Sequence, residues 1–193
     1  MACANLDVFG GGVCPNGTTV GEIGESVSLV ASLSKLIDYL PSGGTAGKLG
    51  NLGINRCFGV SPGGELTGGG SKGSGGGVLT GQALATTLNA VLSLNGFTPG
   101  GITGNLSGFS ITATVCTKRS GPDKVLDTGD DVTQTFPFPT CVVGKTVGQV
   151  LADANHFLAG KGSTLSCSAS ALNTALSNIN VMFDQCGKVV ACP

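Results

Sequence analysis

Apolar residues recur at helical spacing in four stretches of this chain and alternate with polar ones in a fifth. Val147, Val150, Leu151, Ala154, Phe157 and Leu158 fall on one helical face. Thr146 heads that helix, and Gln149 three residues on completes a capping box with it. Gly160 and Gly162 end it. A second helix is predicted from Ser168, burying Leu172, Ala175, Leu176, Ile179 and Phe183. A short polar turn between the two would make them antiparallel neighbours. The longest helical pattern runs from Thr19 to Leu40, with Val20, Ile23, Val27, Val30, Leu33, Ile37 and Leu40 on its face and Thr19 and Glu22 as a capping box. Pro41, Gly43 and Gly44 stop it. A further helix over Thr80–Leu94 carries Leu84, Leu88, Val91 and Leu92. Gly108–Thr117 alternates, with Phe109, Ile111, Ala113 and Val115 on one side, and reads as a strand. Val132–Phe136 is its partner across a long tip. The expected fold class is α+β: about four helices packed on a small antiparallel sheet or long hairpin, stapled by disulfides.

Residues 1–17 read as a separate arm, with Asn5–Phe9 as a short strand bracketed by Cys3 and Cys14. The arm is either tethered to its own domain or adds as a strand to a neighbouring subunit's sheet. Residues 18–193 are expected to form a single disulfide-rich α+β domain. Its Gly68–Gly77 run reads as a flexible loop. It is not a phosphate loop, because Ser71-Lys72-Gly73 does not place Gly-Lys-Ser/Thr at a helix start. Cys14-Pro-Asn-Gly-Thr-Thr-Val-Gly and Cys141-Val-Val-Gly-Lys-Thr-Val-Gly echo each other as a cysteine, a turn and a capped helix start.

Composition narrows the function. Only 11% of the 193 residues are charged and the net charge is -1, against roughly 25% charged in ordinary soluble domains. Mean hydropathy is +0.33. There is no basic patch for nucleic acid and no apolar run long enough to span a membrane. A nearly uncharged, mildly apolar surface favours association, so the expected partner is a second copy of the chain.

The eight cysteines are Cys3, Cys14, Cys57, Cys116, Cys141, Cys167, Cys186 and Cys192. None sits in a CxxC pair and His156 is the only histidine, which argues for disulfides rather than zinc. Disulfides imply an oxidising compartment. No signal peptide is visible at Met1. If the helix pair is antiparallel, Cys141 and Cys186 lie at one end and Cys167 at the other, about 25 Å away. That geometry favours Cys141 with Cys186 or Cys192 and disfavours Cys141 with Cys167.

Chemistry-bearing residues are few. The tip Ser120–Val132 holds Asp123, Asp127, Asp130 and Asp131. Clustered carboxylates suit calcium, though the spacing is not that of an EF-hand. The plainer alternative is a solvated acidic turn neutralised by Lys118, Arg119 and Lys124. His156 lies one helical step from Asp153, but no GxSxG nucleophile accompanies it. Asn16-Gly17-Thr18 and Asn105-Leu106-Ser107 fit the glycosylation sequon. With no tryptophan and Tyr39 as the sole tyrosine, aromatic sugar platforms are lacking.

Three motifs in order resemble a known domain. Gly81-Gln82-Ala83-Leu84-Ala85 through Leu88-Asn89 is similar to a GQxLALxLN helix. Gly121-Pro122-Asp123 through Thr128-Gly129-Asp130-Asp131-Val132 is similar to a GxDxxxGTxDDV loop. Thr146-Val147 through Ala154-Asn155, then Leu172-Asn173 through Ile179-Asn180 to Phe183-Asp184-Gln185-Cys186, is similar to a TVxxLLxxAN…LNxALxxINxxFDxC ending. Over about Gly47 to Cys186 the chain resembles a cysteine-containing domain of secreted and surface proteins of environmental bacteria. The resemblance implies an extracellular location and a structural or adhesive role, and carries no catalytic residues. Lys124 and Asp127 stand where that loop usually has glycine.

The expected function is an extracellular structural protein, not an enzyme: a subunit of a surface filament or matrix that assembles through low-charge surfaces and a donated N-terminal strand. The alternative is a secreted adhesion or binding module with a calcium-stabilised loop. A hydrolase would have to use His156.

Overall fold

Thr18–Gly21 (β1) and Val27–Val30 (β2) pair antiparallel, with Thr18 opposite Val30 and Gly21 opposite Val27. This replaces the predicted Thr19–Leu40 helix where the chain is described, and with it the Thr19–Glu22 capping box. The apolar spacing fits a helix, but the residues do not: Thr18, Thr19, Val20, Val27 and Val30 are β-branched and favour extended backbone. Gly21 also costs a helix interior about 1 kcal/mol. The computed structural model describes residues 18–21, 27–30, 44–48, 77–96, 102, 104–183 and 187–193. The arm at 1–17, the glycine-rich run before residue 77, and Cys3, Cys14, Cys57 and Cys186 lie outside the described residues.

The described elements after β2 are helix α1 (Val78–Leu94), a 3-10 turn Leu106–Gly108, β3 (Thr114–Arg119), β4 (Val132–Pro137), a 3-10 turn Thr140–Val142, α2 (Val147–Leu158), α3 (Ala169–Met182) and β5 (Lys188–Val190). An α+β architecture with a small antiparallel sheet is present. The described residues hold three α-helices rather than four, because the first predicted one begins as strands.

The described residues divide into two compact units, one made of 85–153 with 164–193 and the other of the remainder. In the latter, the start of α1 is set by Gly77. Its φ of +61° belongs to the left-handed region, and a Cβ there would strike the Thr45 carbonyl oxygen, so only glycine fits. Val78 N–H then donates to Gly44 O at 3.3 Å.

The unit 85–153 with 164–193 is built on the sheet β4-β3-β5, antiparallel throughout. Val115 on β3 faces Phe136 on β4, and both are buried. The predicted Gly108–Thr117 strand is split between two partners. Ser110 bridges Thr146, Ile111 N–H donates to Lys145 O (2.8 Å), and Val147 N–H donates to Phe109 O (2.9 Å). Only from Thr114 does the chain pair with β4, and Ala113 is exposed at the change-over.

Leu172, Ala175, Leu176, Ile179 and Met182 of α3 are fully buried, the face that its periodicity predicts. Phe183 instead sits half-buried, edge-on to Phe109 at a centroid distance of 6.4 Å. Asn178 Nδ2 donates to Pro137 O at 2.7 Å, holding α3 against the end of β4. Arg119 donates to Val181 O, placing a cation at the negative end of the α3 dipole. On α1 the buried residues include the predicted Leu84, together with Leu79, Thr80, Ala83, Thr86, Ala90 and Ser93, while the predicted Leu88, Val91 and Leu92 are half-buried. Polar partners decide this: Asn180 Oδ1 accepts from Thr86 Oγ1 (3.0 Å) and Asn89 Nδ2 (3.1 Å), and Ser93 Oγ accepts from Leu106 N–H (2.5 Å). Paired hydroxyls and amides are buried at little cost.

Candidate functional site

The carboxylate-rich tip, 120–131, joins β3 to β4, and β5 lies on the other side of β3. The pairing of β3 with β5 sets Lys118 directly opposite Lys188. Two like charges in that relation destabilise a strand pair. Asp127 answers them with one carboxylate: Oδ1 lies 3.3 Å from Lys118 Nζ and Oδ2 lies 3.2 Å from Lys188 Nζ. Asp131 Oδ2 adds a second contact to Lys118 at 3.5 Å. The hydrogen bonds from Lys188 and then Lys118 hold the Asp127 carboxyl below its ordinary range. The same contact with Asp127 raises the Lys118 ammonium above its own.

The other carboxylates are turned onto the loop itself. Asp131 Oδ2 accepts from the N–H groups of Asp127 (2.6 Å) and Thr128 (3.1 Å). Asp130 Oδ1 accepts from Thr128 Oγ1 at 2.6 Å and Oδ2 from Asp123 N–H at 3.4 Å. The Thr128 hydroxyl lowers the Asp130 carboxyl most. Asp123 Oδ1 accepts from Val125 N–H at 2.8 Å, an Asx turn. Gly121 allows this folding, because a Cβ there would overlap the Asp130 backbone oxygen and carboxylate. Lys124 (φ 59°) and Asp127 (φ 68°) both adopt left-handed backbone, which favours glycine. The four aspartates predicted to gather at the tip are thus in one loop. Among the described residues no three His, Cys, Asp or Glu side chains converge in a metal-holding arrangement. One oxygen, Asp131 Oδ1, is buried without a hydrogen-bond partner.

Four of the eight cysteines form two disulfides among the described residues. Cys116 bonds Cys192, and Cys141 bonds Cys167 with Cα atoms 5.6 Å apart. Cys192, one of the partners favoured for Cys141, is bonded to Cys116 instead, and Cys141–Cys167 is the pairing disfavoured on sequence grounds, which set Cys167 far from Cys141. The reason is the connection between α2 and α3. It is not a tight turn but runs over residues 159–168 and returns alongside α2. Asp153, buried at 2% exposure, fastens it: Oδ1 accepts from Thr164 N–H (2.5 Å), Thr164 Oγ1 (2.7 Å) and Leu165 N–H (3.2 Å). Residues 164–165 are therefore level with the middle of α2, and two residues later Cys167 reaches the level of Cys141.

The capping box at the start of α2 is formed as predicted. Gln149 N–H donates to Thr146 Oγ1 (3.2 Å), and Thr146 N–H donates to Gln149 Oε1 (2.9 Å). His156 is half-buried on α2. Asn105 of the second sequon caps the 3-10 turn, its Oδ1 accepting from Gly108 N–H at 3.1 Å.

Sequence reading missed β5, the Cys116–Cys192 bond and the role of Asp153. The signals were a β-branched pair, Val189-Val190, just before Cys192, and an aspartate adjoining the apolar stripe at Val150 and Ala154. No helix among the described residues is long and apolar enough to cross a membrane. No family model, curated protein or solved structure matches this chain.

Proposed function

We propose that this chain is an extracellular structural protein, a subunit that assembles with copies of itself into a surface filament or matrix. Disulfides at Cys116–Cys192 and Cys141–Cys167 support an oxidising compartment, and low charge supports self-association. The observation that carries the reading is β4. It lies at the edge of the described sheet. It has no charged residue over Val132–Pro137, and Val132, Thr133, Thr135 and Pro137 are exposed. Edge strands normally carry a lysine, a bulge or an inward charge against pairing with another chain. Here only Pro137 interrupts the edge. A strand donated by a neighbouring subunit, for which the sequence pattern offers Asn5–Phe9, would add to such an edge through backbone hydrogen bonds. A head-to-tail contact of that kind propagates into a filament when its rotation does not close a ring. Electron microscopy of the purified protein, with light scattering over a concentration series, tests this. Thr135→Lys on the edge is expected to keep the protein folded and abolish assembly. A wild-type protein that stays monomeric at every concentration overturns the reading.

The second reading is a secreted binding module whose tip takes a calcium ion, and the unpaired buried Asp131 Oδ1 is what favours it. Calcium titration by calorimetry separates the two, since heat that disappears in Asp130→Ala would support the module.

A further inference from the structure

The carboxy-terminal strand is attached unlike any other described element. β5 has three residues and pairs only with β3. Beyond that pairing, two side-chain ties hold it among the described residues. One is the Lys188–Asp127 contact, made at a lysine 42% exposed and an aspartate 59% exposed. Such a pair contributes little by itself. The other is the disulfide from Cys192 to Cys116. Its two ends differ sharply: Cys116 is buried at 1% exposure, whereas Cys192 is exposed near the chain end. The second disulfide offers no comparable entry, for Cys167 is 7% exposed and Cys141 is half-buried. Exposed disulfides are the ones that exchange with external thiols.

We propose that β5 is a redox-sensitive strap, locked onto β3 by Cys116–Cys192 and released when a small dithiol reduces that bond. The thiolate of the reductant attacks Cys192 Sγ at the surface, and Cys116 leaves as the thiolate. The reductant's second thiol then attacks the mixed disulfide and frees Cys192. The two cysteines end as thiols after gaining two electrons and two protons, and the dithiol ends as its own disulfide. Once the bond is open, three residues of edge pairing with half-buried side chains and one exposed ion pair remain among the described residues. The strap leaves, and the β3 edge at Cys116–Lys118 loses its partner. That uncovers backbone N–H and C=O groups on a central strand, a template for another strand. The buried Thr117 also gains access to water.

The test uses the full oxidised protein and dithiothreitol, with alkylation of freed thiols and amide hydrogen exchange read by mass spectrometry. Cys116 and Cys192 are expected to become alkylated together, ahead of Cys141 and Cys167. At that stage exchange over 188–190 and 116–119 should rise about tenfold or more while α2 and α3 stay protected. Cys192→Ser should show the raised exchange without reductant. Asp127→Asn should leave the oxidised strand in place and speed its release after reduction. Either of two results overturns the proposal: opening of Cys141–Cys167 first or at the same rate, or full protection of 188–190 after Cys116–Cys192 has opened.

Discussion

Replacing Asp153 by alanine removes the group that turns the α2–α3 connection back along α2. The side chain is 2% exposed, and its Oδ1 serves three donors on Thr164 and Leu165. A hydrogen bond to a charged acceptor is worth about 1.5–3 kcal/mol, and bonds sharing one oxygen do not add fully. The variant also leaves donors at 164 and 165 that water must then reach. The expected loss is therefore about 3 kcal/mol, a large part of a domain's usual ~5–15 kcal/mol. For a chain of this length it corresponds to a fall in Tm of roughly 6–12 °C. Urea and thermal denaturation of the oxidised protein measure it. Asp153→Asn retains an acceptor oxygen and should recover more than half of the loss. An alanine variant within about 0.5 kcal/mol of wild type, the scatter of ordinary surface substitutions, would refute the role of this contact. So would peptide mapping that joined Cys141 to Cys186 instead of Cys167.

The Cys141–Cys167 bond spans 26 residues, so chain entropy assigns it about 3.5 kcal/mol. Cys141→Ser with Cys167→Ser should lose close to that in a denaturant titration. Thr146→Ala removes one half of the capping box and should cost about 1 kcal/mol, with Gln149→Ala adding little in the double variant because the two bonds form one unit. Asp127 provides a pH test. Its folded pKa lies below its ordinary 3.8, so its contribution is complete above that value and is lost as pH falls through the lowered one. The difference in Tm between wild type and Asp127→Asn should be constant near neutrality and vanish under strong acid. A difference that persists in strong acid would assign the effect to something other than the carboxylate charge.

Local chemistry made much of this legible in advance. The Thr146–Gln149 box, the Ser168 cap with its bond from Ala171 N–H at 3.1 Å, and the buried face of α3 each depend on residues a few positions apart. The β3–β4 pair was legible because Val115 and Phe136 alternate with polar neighbours on short strands. Over its described residues, 19–21 and 27–30, the first predicted helix gave way to strands because periodicity was weighed above residue type: β-branched positions at helical spacing satisfied the count and formed strands. On α1 the predicted Leu84 is buried, but the rest of the stripe was misread because Thr86 and Ser93 look polar in isolation. They are buried because Asn180 and the Leu106 N–H meet them from distant parts of the chain.

At the acidic tip the sequence determined that four carboxylates share one loop, and that Lys118 stands beside it. It could not determine what neutralises them, because Lys188 is 61 residues from Asp127 and reaches it only after β5 pairs with β3. The cysteines divide in the same way. Their number and spacing determined that disulfides form. Cys141 takes Cys167 because of the path of residues 159–168, which one buried carboxylate accepting three hydrogen bonds fastens, and Cys116 takes Cys192 because β5 pairs with β3. Caps, turns and strand alternation are short-range and are written in neighbouring residues. Charge pairing and disulfide choice depend on which distant segments the folded backbone brings within a few ångströms, and only the tertiary structure decides that.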